Sequence, residues 1–262
     1  MKKPLFRLAV CLLFIHCLSG CPKHTETQIE KAPQKYEGAL VYLESDRICA
    51  FFEVQNLKTY EKLLPRLFRM PERPLCQIYF SDNYKMENGP TYLLSSVSIL
   101  VNHEGKLGWY ILTMPETHEE PVRRGVVAWG YPKIVRRVTL ERSEEKYVGT
   151  SYEEDGRTVE FKMTLRIKKT PLGMEEKQTY DFISPFPSLT IKNERVHKFG
   201  GSRTPVYNLE KTAPKVWKIK LGEASVEYPN NPKNLLYRLR LGRCLAGYWG
   251  NLKHRYSITP NK

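Results

Sequence analysis

The chain has few cysteines for its length, and their positions exclude a disulfide-stapled scaffold. Six cysteines occur among 262 residues, and two of them lie in an apolar N-terminal run. Beyond Cys21, only Cys49, Cys76 and Cys244 remain, so at most one disulfide and one spare thiol can form. Cys49 and Cys244 have apolar neighbours in the sequence, which favours small core side chains over metal ligands or nucleophiles.

The motifs of several enzyme classes are also missing. The sequence contains no His-Glu-x-x-His, Cys-x-x-Cys, Gly-x-Ser-x-Gly, Walker or Gly-x-Gly-x-x-Gly pattern. These patterns carry zinc, redox, serine-hydrolase and nucleotide chemistry. We therefore expect no metal and no cofactor, and any chemistry must come from ordinary side chains.

No apolar run is long enough to cross a bilayer, but the chain begins with a short one. Three basic residues precede an apolar run over residues 8–18, an arrangement typical of a secretory signal. The segment Leu18-Ser19-Gly20-Cys21 resembles a bacterial lipobox, which predicts cleavage before Cys21 and acylation of that residue, for example with palmitate. An uncleaved N-terminus or an ordinary signal peptide is the alternative.

The lipobox interpretation divides the chain into three parts. They are a signal peptide over residues 1–20, a lipidated Cys21 with a polar, proline-containing tether over 21–36, and a domain over 37–258. Each buried methylene contributes about 0.8 kcal/mol, so two or three acyl chains anchor a protein durably. The sequence thus predicts a membrane-anchored lipoprotein of the bacterial cell envelope, and it leaves open which membrane holds it.

Acidic residues are too few to balance the basic ones. The chain has 42 Lys+Arg against 28 Asp+Glu; the leader holds three of the basic residues, so the mature chain keeps a net charge of +11. Such a balance is common in nucleic-acid-binding proteins, but export excludes that partner. An anionic membrane surface facing the basic C-terminal region is one interpretation, and a solvated face with surplus lysines is the other.

Most of the chain has the composition of β-strands. Segments rich in β-branched and aromatic residues, bounded by Gly, Pro, Asn or Asp, predict strands over residues 48–54, 91–101, 107–113, 134–141, 157–168, 177–183 and 215–228. Asp155-Gly156 and Gly200-Gly201 are predicted hairpin turns, and Pro229-Asn230-Asn231-Pro232 a loop.

Helical patterns are short and few. Leu57, Tyr60, Leu63 and Leu64 have helical spacing before Pro65, and Thr117-His118-Glu119-Glu120 has the form of a capping box for a short helix that ends near Gly125. Many strands with two or three helices favour a mainly antiparallel sheet that curls or closes, within a single domain.

The segment Trp129-Gly130-Tyr131-Pro132-Lys133-Ile134 carries the most specific signal. It places a lysine directly after an aromatic-proline turn and at the start of a predicted strand. The segment resembles the active-site signature of the acetoacetate decarboxylase family, and weaker likeness extends over much of the mature chain. The resemblance implies an acetoacetate-decarboxylase-like antiparallel β-barrel with a few short helices, and it places Lys133 at the Schiff-base position.

A Schiff-base lysine requires a perturbed pKa. A free lysine has a pKa near 10.4, so about one molecule in 2500 is neutral at pH 7. Burial in an apolar cavity or a neighbouring cation lowers the pKa. The second lysine of the decarboxylases is replaced here by Ile134. Arg137 shares a strand face with Lys133 if the predicted strand is regular, so it is a candidate pKa perturber, and a surface arginine is the alternative.

Other residues implied by the resemblance depart from the family pattern. Trp129, Tyr131 and Ile134 are expected to shape the cavity wall. The decarboxylases also carry an arginine and two acidic residues, and an ungapped comparison puts Val54, Tyr79 and Leu94 in their places. Glu53 and Asp82 are nearby acids that could be the real equivalents.

Two functional hypotheses follow. In the first, the protein is a lyase that forms an imine between Lys133 and a small oxo acid, as a decarboxylase or a related carbon–carbon lyase. In the second, it is a non-catalytic envelope lipoprotein that binds a small apolar or anionic ligand in the barrel cavity. Relatives of this fold form homo-oligomers, and the sequence leaves open whether a tethered chain does so.

Overall fold

A computed structural model of the protein describes residues 40–86, 89–168, 186–199 and 218–257. All of them belong to one compact unit, and their main feature is a single sheet of twelve strands. The strands are β1 (Leu40–Val54), β2 (Leu75–Met86), β3 (Tyr92–His103), β4 (Lys106–Glu116), β5 (Lys133–Val135), β6 (Val138–Arg142), β7 (Lys146–Tyr152), β8 (Val159–Ile167), β9 (Ser188–Lys192), β10 (Arg195–Phe199), β11 (Lys218–Glu227) and β12 (Leu241–Ser257).

The strands are hydrogen-bonded in the order β10-β9-β4-β3-β2-β1-β12-β11-β8-β7-β6, with β5 on the side of β4. All neighbours are antiparallel except β4 with β5 and β4 with β9, which are parallel. Mainly antiparallel pairing confirms the predicted fold class. The expected closed barrel is wrong, because no ladder in the described residues joins β6 to β10.

The sheet instead curls, and side chains make the contacts that close it. Ser95 of β3 donates to Ser151 of β7 at 3.2 Å between the hydroxyl oxygens. Arg142 at the end of β6 pairs with Asp46 of β1 and Asp82 of β2. The β6–β8 end therefore packs over the β1–β3 region without backbone pairing between the two.

Both faces of the sheet are buried at its centre. Ile48, Ala50 and Phe52 of β1 point into one apolar core, while Cys49 and Phe51 point into a second core on the opposite face. Alternation of side chains along a strand explains the division. Burial on both sides explains why residues 48–52 of this strand are continuously apolar in sequence.

Within the described residues, three short helices accompany the sheet. Helix α1 (Leu57–Leu63) matches the predicted helix, and the side chain of Asn56 caps it by accepting from Thr59 N. Helix α2 (Glu119–Trp129) begins at the predicted place but continues past Gly125. Helix α3 (Leu235–Leu239), capped by Asn234, was not expected from the sequence. No helix in the described part of the chain is long and apolar enough to span a membrane.

Several sequence expectations require correction. The strand predicted over 134–141 is divided into β5 and β6, because β5 pairs with β4 whereas β6 pairs with β7. Strands β2, β7, β9, β10 and β12 were missed, and the segment 177–183 lies outside the described residues, as does Gly200-Gly201. The Asp155-Gly156 turn is present, with Gly156 at φ 66°. Cys49, Cys76 and Cys244 are all free thiols.

Candidate active site

Lys133 lies at the start of β5, directly after the turn that ends helix α2. Gly130 terminates the helix at φ 65°, a left-handed conformation that glycine adopts without strain. The following Tyr131-Pro132 leads into β5, whose parallel pairing with β4 sets Lys133 opposite Met114. The same pairing brings Lys133 next to the last residue of β4, Glu116.

Lys133 and Glu116 form a buried ion pair. The distance from Lys133 Nζ to Glu116 Oε1 is 2.7 Å, and the side chains are 10% and 0% exposed. Arg136 N donates to the carbonyl oxygen of Glu116, which fixes the backbone beside the carboxylate. The sequence predicted a lysine in a dry environment, and the structure adds a carboxylate partner that the sequence did not indicate.

Helix α2 covers the other side of the lysine. Lys133 Nζ donates to the carbonyl oxygen of Pro121 at 3.3 Å. The aliphatic part of the side chain crosses Gly125, where an added Cβ would lie 2.5 Å from Cδ and 2.6 Å from Cε of Lys133. A residue larger than glycine at position 125 therefore conflicts with the observed path of the lysine.

Two tyrosine rings complete the surroundings of the amine. Lys133 Nζ lies 5.3 Å from the ring centroid of Tyr131 and 5.8 Å from that of Tyr92. Both rings pack against the second core, on the face of Cys49 and Phe51. Aromatic faces attract a cation and exclude water, so the two rings help to enclose the amine.

Burial dominates the electrostatics of the pair. It lowers the pKa of Lys133, while the carboxylate of Glu116 opposes that change and the guanidinium of Arg124 adds to it. Burial likewise raises the pKa of Glu116, against the opposing effect of Lys133. Each partner is shifted toward its neutral form, so a proton can move between them with little separation of charge.

The structure brings Arg124, not Arg137, to the lysine. Arg137 is exposed; its guanidinium lies 4.4 Å from the ring centroid of Tyr152 and donates to Gly156 O. The expectation relied on a regular strand from 133 to 140, and the break between β5 and β6 removes that alternation. Arg124 was missed because Arg123-Arg124-Gly125 resembles a helix end in sequence.

The three residues expected to shape a cavity occupy different environments. Tyr131 faces the amine, as described. Trp129 is half-buried at the end of α2, where its carbonyl oxygen accepts from Thr190 Oγ1. Ile134 is 37% exposed, so it lies on the outer surface of β5. A cavity of about 640 Å³ in the described part of the chain is lined by residues of β7, β8, β11 and the segments next to β7 and β8, and it includes none of these three.

The acids suggested by sequence comparison lie elsewhere. Glu53 Oε1 lies 3.8 Å from Arg73 Nη2 and 3.8 Å from Arg243 Nη2. Asp82 pairs with Arg142. Leu94 is paired directly opposite Glu116. Val54 is a core residue. The carboxylate that reaches Lys133 is therefore Glu116, and its place at the end of a mainly apolar strand is the signal that could have identified it.

Arg47 and Tyr79 extend the polar surface on the same face of the sheet. The guanidinium of Arg47 lies 4.7 Å from the ring centroid of Tyr79. Arg47 Nε is enclosed and donates to no acceptor in the described residues. Burial raises the pKa of Tyr79. The positive charge of Arg47 opposes this rise, and the negative charge of Glu116 adds to it. A guanidinium pairs readily with a carboxylate, so Arg47 is a candidate partner for an anionic ligand.

Comparison with known proteins agrees with this fold. The family model of acetoacetate decarboxylase matches residues 33–257, whereas no curated protein matches the chain. The acetoacetate decarboxylase of Legionella pneumophila is similar in structure, with a TM-score of 0.65 and 17% identity over 92% of this chain and 96% of that one. An acetoacetate decarboxylase-like enzyme from Sphingomonas wittichii RW1 gives a TM-score of 0.62 and 14% identity over 84% of this chain and 92% of that one.

A third solved structure, the enduracididine biosynthesis enzyme MppR in complex with pyruvate, gives a TM-score of 0.61 at 8% identity, over 84% of this chain and 88% of that one. At these identities the solved structures establish the fold alone. The family match covers most of the chain and includes Lys133, Glu116 and Arg124. The chain belongs to the acetoacetate decarboxylase family.

Proposed function

We propose that the protein is a Schiff-base-forming lyase that acts on a small oxo acid, with Lys133 as the nucleophile and Glu116 as its proton partner. The observation that carries the proposal is the enclosed 2.7 Å contact between the two side chains. An amine that is desolvated and next to a proton acceptor can become neutral without releasing its proton to water.

The pair can supply each proton transfer of imine formation. Glu116 takes a proton from the ammonium of Lys133, and the neutral amine adds to the substrate carbonyl to give a carbinolamine. Glu116 returns the proton to the carbinolamine oxygen, which leaves as water, and a protonated imine remains. In a β-oxo acid the bond to the carboxylate then breaks, and its electron pair passes into the iminium to form an enamine and carbon dioxide. Protonation of the enamine and addition of water release the product and restore Lys133.

Arg47 and Tyr79 support an acid as the substrate. A guanidinium on the same sheet face as Lys133, with Nε enclosed and unsatisfied in the described residues, is suited to a carboxylate. MppR, which shares the fold, binds pyruvate in its solved structure. We extend this preference for a small oxo acid to the present chain.

The proposal is tested by trapping the imine. The full-length protein is incubated separately with acetoacetate, acetopyruvate and pyruvate, treated with cyanoborohydride and weighed by intact mass spectrometry. We expect a reduced adduct with at least one oxo acid, and its loss in Lys133→Met. The matched control is Lys106→Met, a change of the exposed lysine that begins β4, which should retain the adduct.

The non-catalytic hypothesis makes a different prediction in the same experiment. If the proton stays on Lys133 and the ion pair is only structural, no oxo acid gives an adduct while the protein remains folded. Oxo acids that bind without forming an adduct, with affinity lost in Arg47→Met but not in Lys133→Met, would establish a binding protein instead.

We further propose that the domain is anchored at the bacterial envelope by acyl chains on Cys21. The support is the lipobox-like segment that follows a cationic, apolar start. Detergent phase partitioning of the protein expressed in a bacterial host tests this. The native chain should enter the detergent phase and Cys21→Ser should not; identical partitioning of both would contradict acylation.

A further inference from the structure

Helix α2 presents a second buried ion pair beside the lysine. Arg124 Nη2 lies 3.5 Å from Glu120 Oε2, one helical turn apart, and the side chains are 10% and 20% exposed. Both carboxylate oxygens of Glu120 are enclosed by protein. An ion pair on a solvent-exposed helix face needs no such burial, so this pair is directed toward the sheet.

The position of the pair follows from helix geometry. Residues three and four apart share a helix face, so Pro121, Arg124 and Gly125 lie together on the inner side of α2. Pro121 accepts from Lys133 Nζ, and Gly125 contacts the lysine's aliphatic chain. Arg124 flanks these two contacts on the same side of the helix. Its guanidinium is thus held on the helix face that covers the amine.

The position next to Lys133 in sequence cannot provide this charge. Ile134 is apolar and 37% exposed, and alternation along β5 directs its side chain away from that of Lys133. A cation there would be screened by solvent. A cation on α2 acts through a dry interior, where charges interact more strongly.

We propose that Arg124 is the positioning residue that keeps the amine of Lys133 available as a nucleophile, and that Glu120 holds Arg124 in place and moderates its effect. The importance of the amine as a nucleophile rests on the proposed function. The electrostatic coupling of the two ion pairs does not, because it requires no substrate.

The charged and titratable groups around the amine come from every neighbouring element. Glu116 belongs to β4, Tyr92 to β3, Tyr131 to the turn before β5, and Glu120 and Arg124 to α2. Lys192 of β9 contacts the helix at Val127 O. Among these groups, Arg124 lowers the pKa of Lys133 and Glu120 raises it, so the two members of the α2 pair act in opposite directions.

This opposition provides a test that a merely structural pair would fail. The ¹³Cε resonance of Lys133 in the full-length protein, identified by its loss in Lys133→Met, is followed against pH without substrate. Arg124→Gln should move the titration to higher pH, and Glu120→Gln should move it to lower pH. A displacement of the neutral fraction on the order of tenfold at a given pH is expected for each change.

Further variants distinguish charge from packing. Arg124→Lys keeps the positive charge, so Lys133 should titrate at nearly the same pH as in the native protein. Arg124→Gln/Glu120→Gln removes both charges, so the titration of Lys133 should return most of the way to its native position. Arg123→Gln, a change of the adjacent exposed arginine, is the matched control and should leave the titration unchanged.

Two results would overturn the proposal. One is that the titration of Lys133 stays at the native pH in folded Arg124→Gln and in folded Glu120→Gln. The other is that the two substitutions move the titration of Lys133 in the same direction. If Arg124→Gln fails to fold, Glu120→Gln and Arg124→Lys still decide the matter. If no imine is trapped but the two substitutions move the titration of Lys133 in opposite directions, the proposed function is wrong and the electrostatic coupling stands.

Discussion

Gly125 of α2 lies against the side chain of Lys133, so closely that a Cβ at position 125 would be 2.5 Å from Lys133 Cδ and 2.9 Å from Nζ. The glycine is in the middle of a helix, where it is less favourable than alanine by about 1 kcal/mol. Its presence is explained by the lysine, because the absent side chain is the space through which the amine reaches Glu116.

Replacement of Gly125 by alanine should therefore reverse the usual effect of this change. A helical Gly→Ala substitution normally stabilises a protein by roughly 0.5–1 kcal/mol, but here the clash should destabilise by about 1–3 kcal/mol and displace Lys133. Urea unfolding measures the first effect and cyanoborohydride trapping the second. An Arg123→Ala control tests helix propensity alone, and a stabilised Gly125→Ala protein with normal trapping would contradict the observed path of the lysine.

The Lys133–Glu116 pair should show strong coupling in a double-mutant cycle. Removal of one partner leaves a buried charge without compensation, so Lys133→Met or Glu116→Gln should each cost about 3–5 kcal/mol in the free energy of unfolding. The double variant Lys133→Met/Glu116→Gln should be destabilised less than the sum of the two. Additive costs measured by urea unfolding would mean that the pair is not formed in solution.

The same pair should give the free energy of unfolding a defined dependence on pH. Glu116 has a raised pKa in the folded protein, so it keeps its proton longer than in the unfolded chain, and stability falls as pH rises above its ordinary value of 4.5. Lys133 has a lowered pKa, so the folded protein loses that proton first, and stability rises again as pH approaches 10.5.

Urea unfolding at several pH values tests this prediction. The native protein should show both slopes, and Lys133→Met/Glu116→Gln should lack these two contributions. Identical pH profiles for the two proteins would show that neither group has a shifted pKa.

Arg142 should stabilise the curled sheet through charge rather than through a backbone ladder. It joins the end of β6 to Asp46 and Asp82 in β1 and β2, and Asn251 of β12 also donates to Asp46. Because the arginine is about a third exposed, we expect Arg142→Met to cost about 1–2 kcal/mol at neutral pH. Arg166→Met, at an exposed position of β8, is the control, and equal unfolding free energies for the two variants would contradict a role in closing the sheet.

Local signals in the sequence were sufficient for some elements and not for others. The Gly130 turn, the helix before Pro65 and the apolar strands depend on neighbouring residues, and they were predicted. The β12 strand was missed because its basic residues, among them Arg243, Lys253 and Arg255, suggested a charged surface. Its length follows from pairing with β1 over Leu40–Val54, a partner about 200 residues distant that no local pattern reveals.

The candidate site shows the same limit. Lys133 was identified from the residues around it, whereas Glu116 reaches it only through the parallel pairing of β4 with β5. Arg137 was proposed from strand alternation, which fails where β5 ends at Val135. Arg124 and Gly125 come to the lysine because α2 continues one turn beyond the predicted end. Each missing partner thus depends on tertiary pairing or on the exact end of an element.

The central claim, that Lys133 forms an imine, is tested most directly by peptide mapping after trapping. Trypsin cleaves after Arg124 and after an unmodified Lys133, but not after a reduced adduct. With an oxo acid and cyanoborohydride, we predict a new peptide over residues 125–136 that carries the mass of the adduct, with a matching loss of the peptide over 125–133. Complete cleavage after Lys133 with every oxo acid, in a protein that remains folded, would contradict the claim.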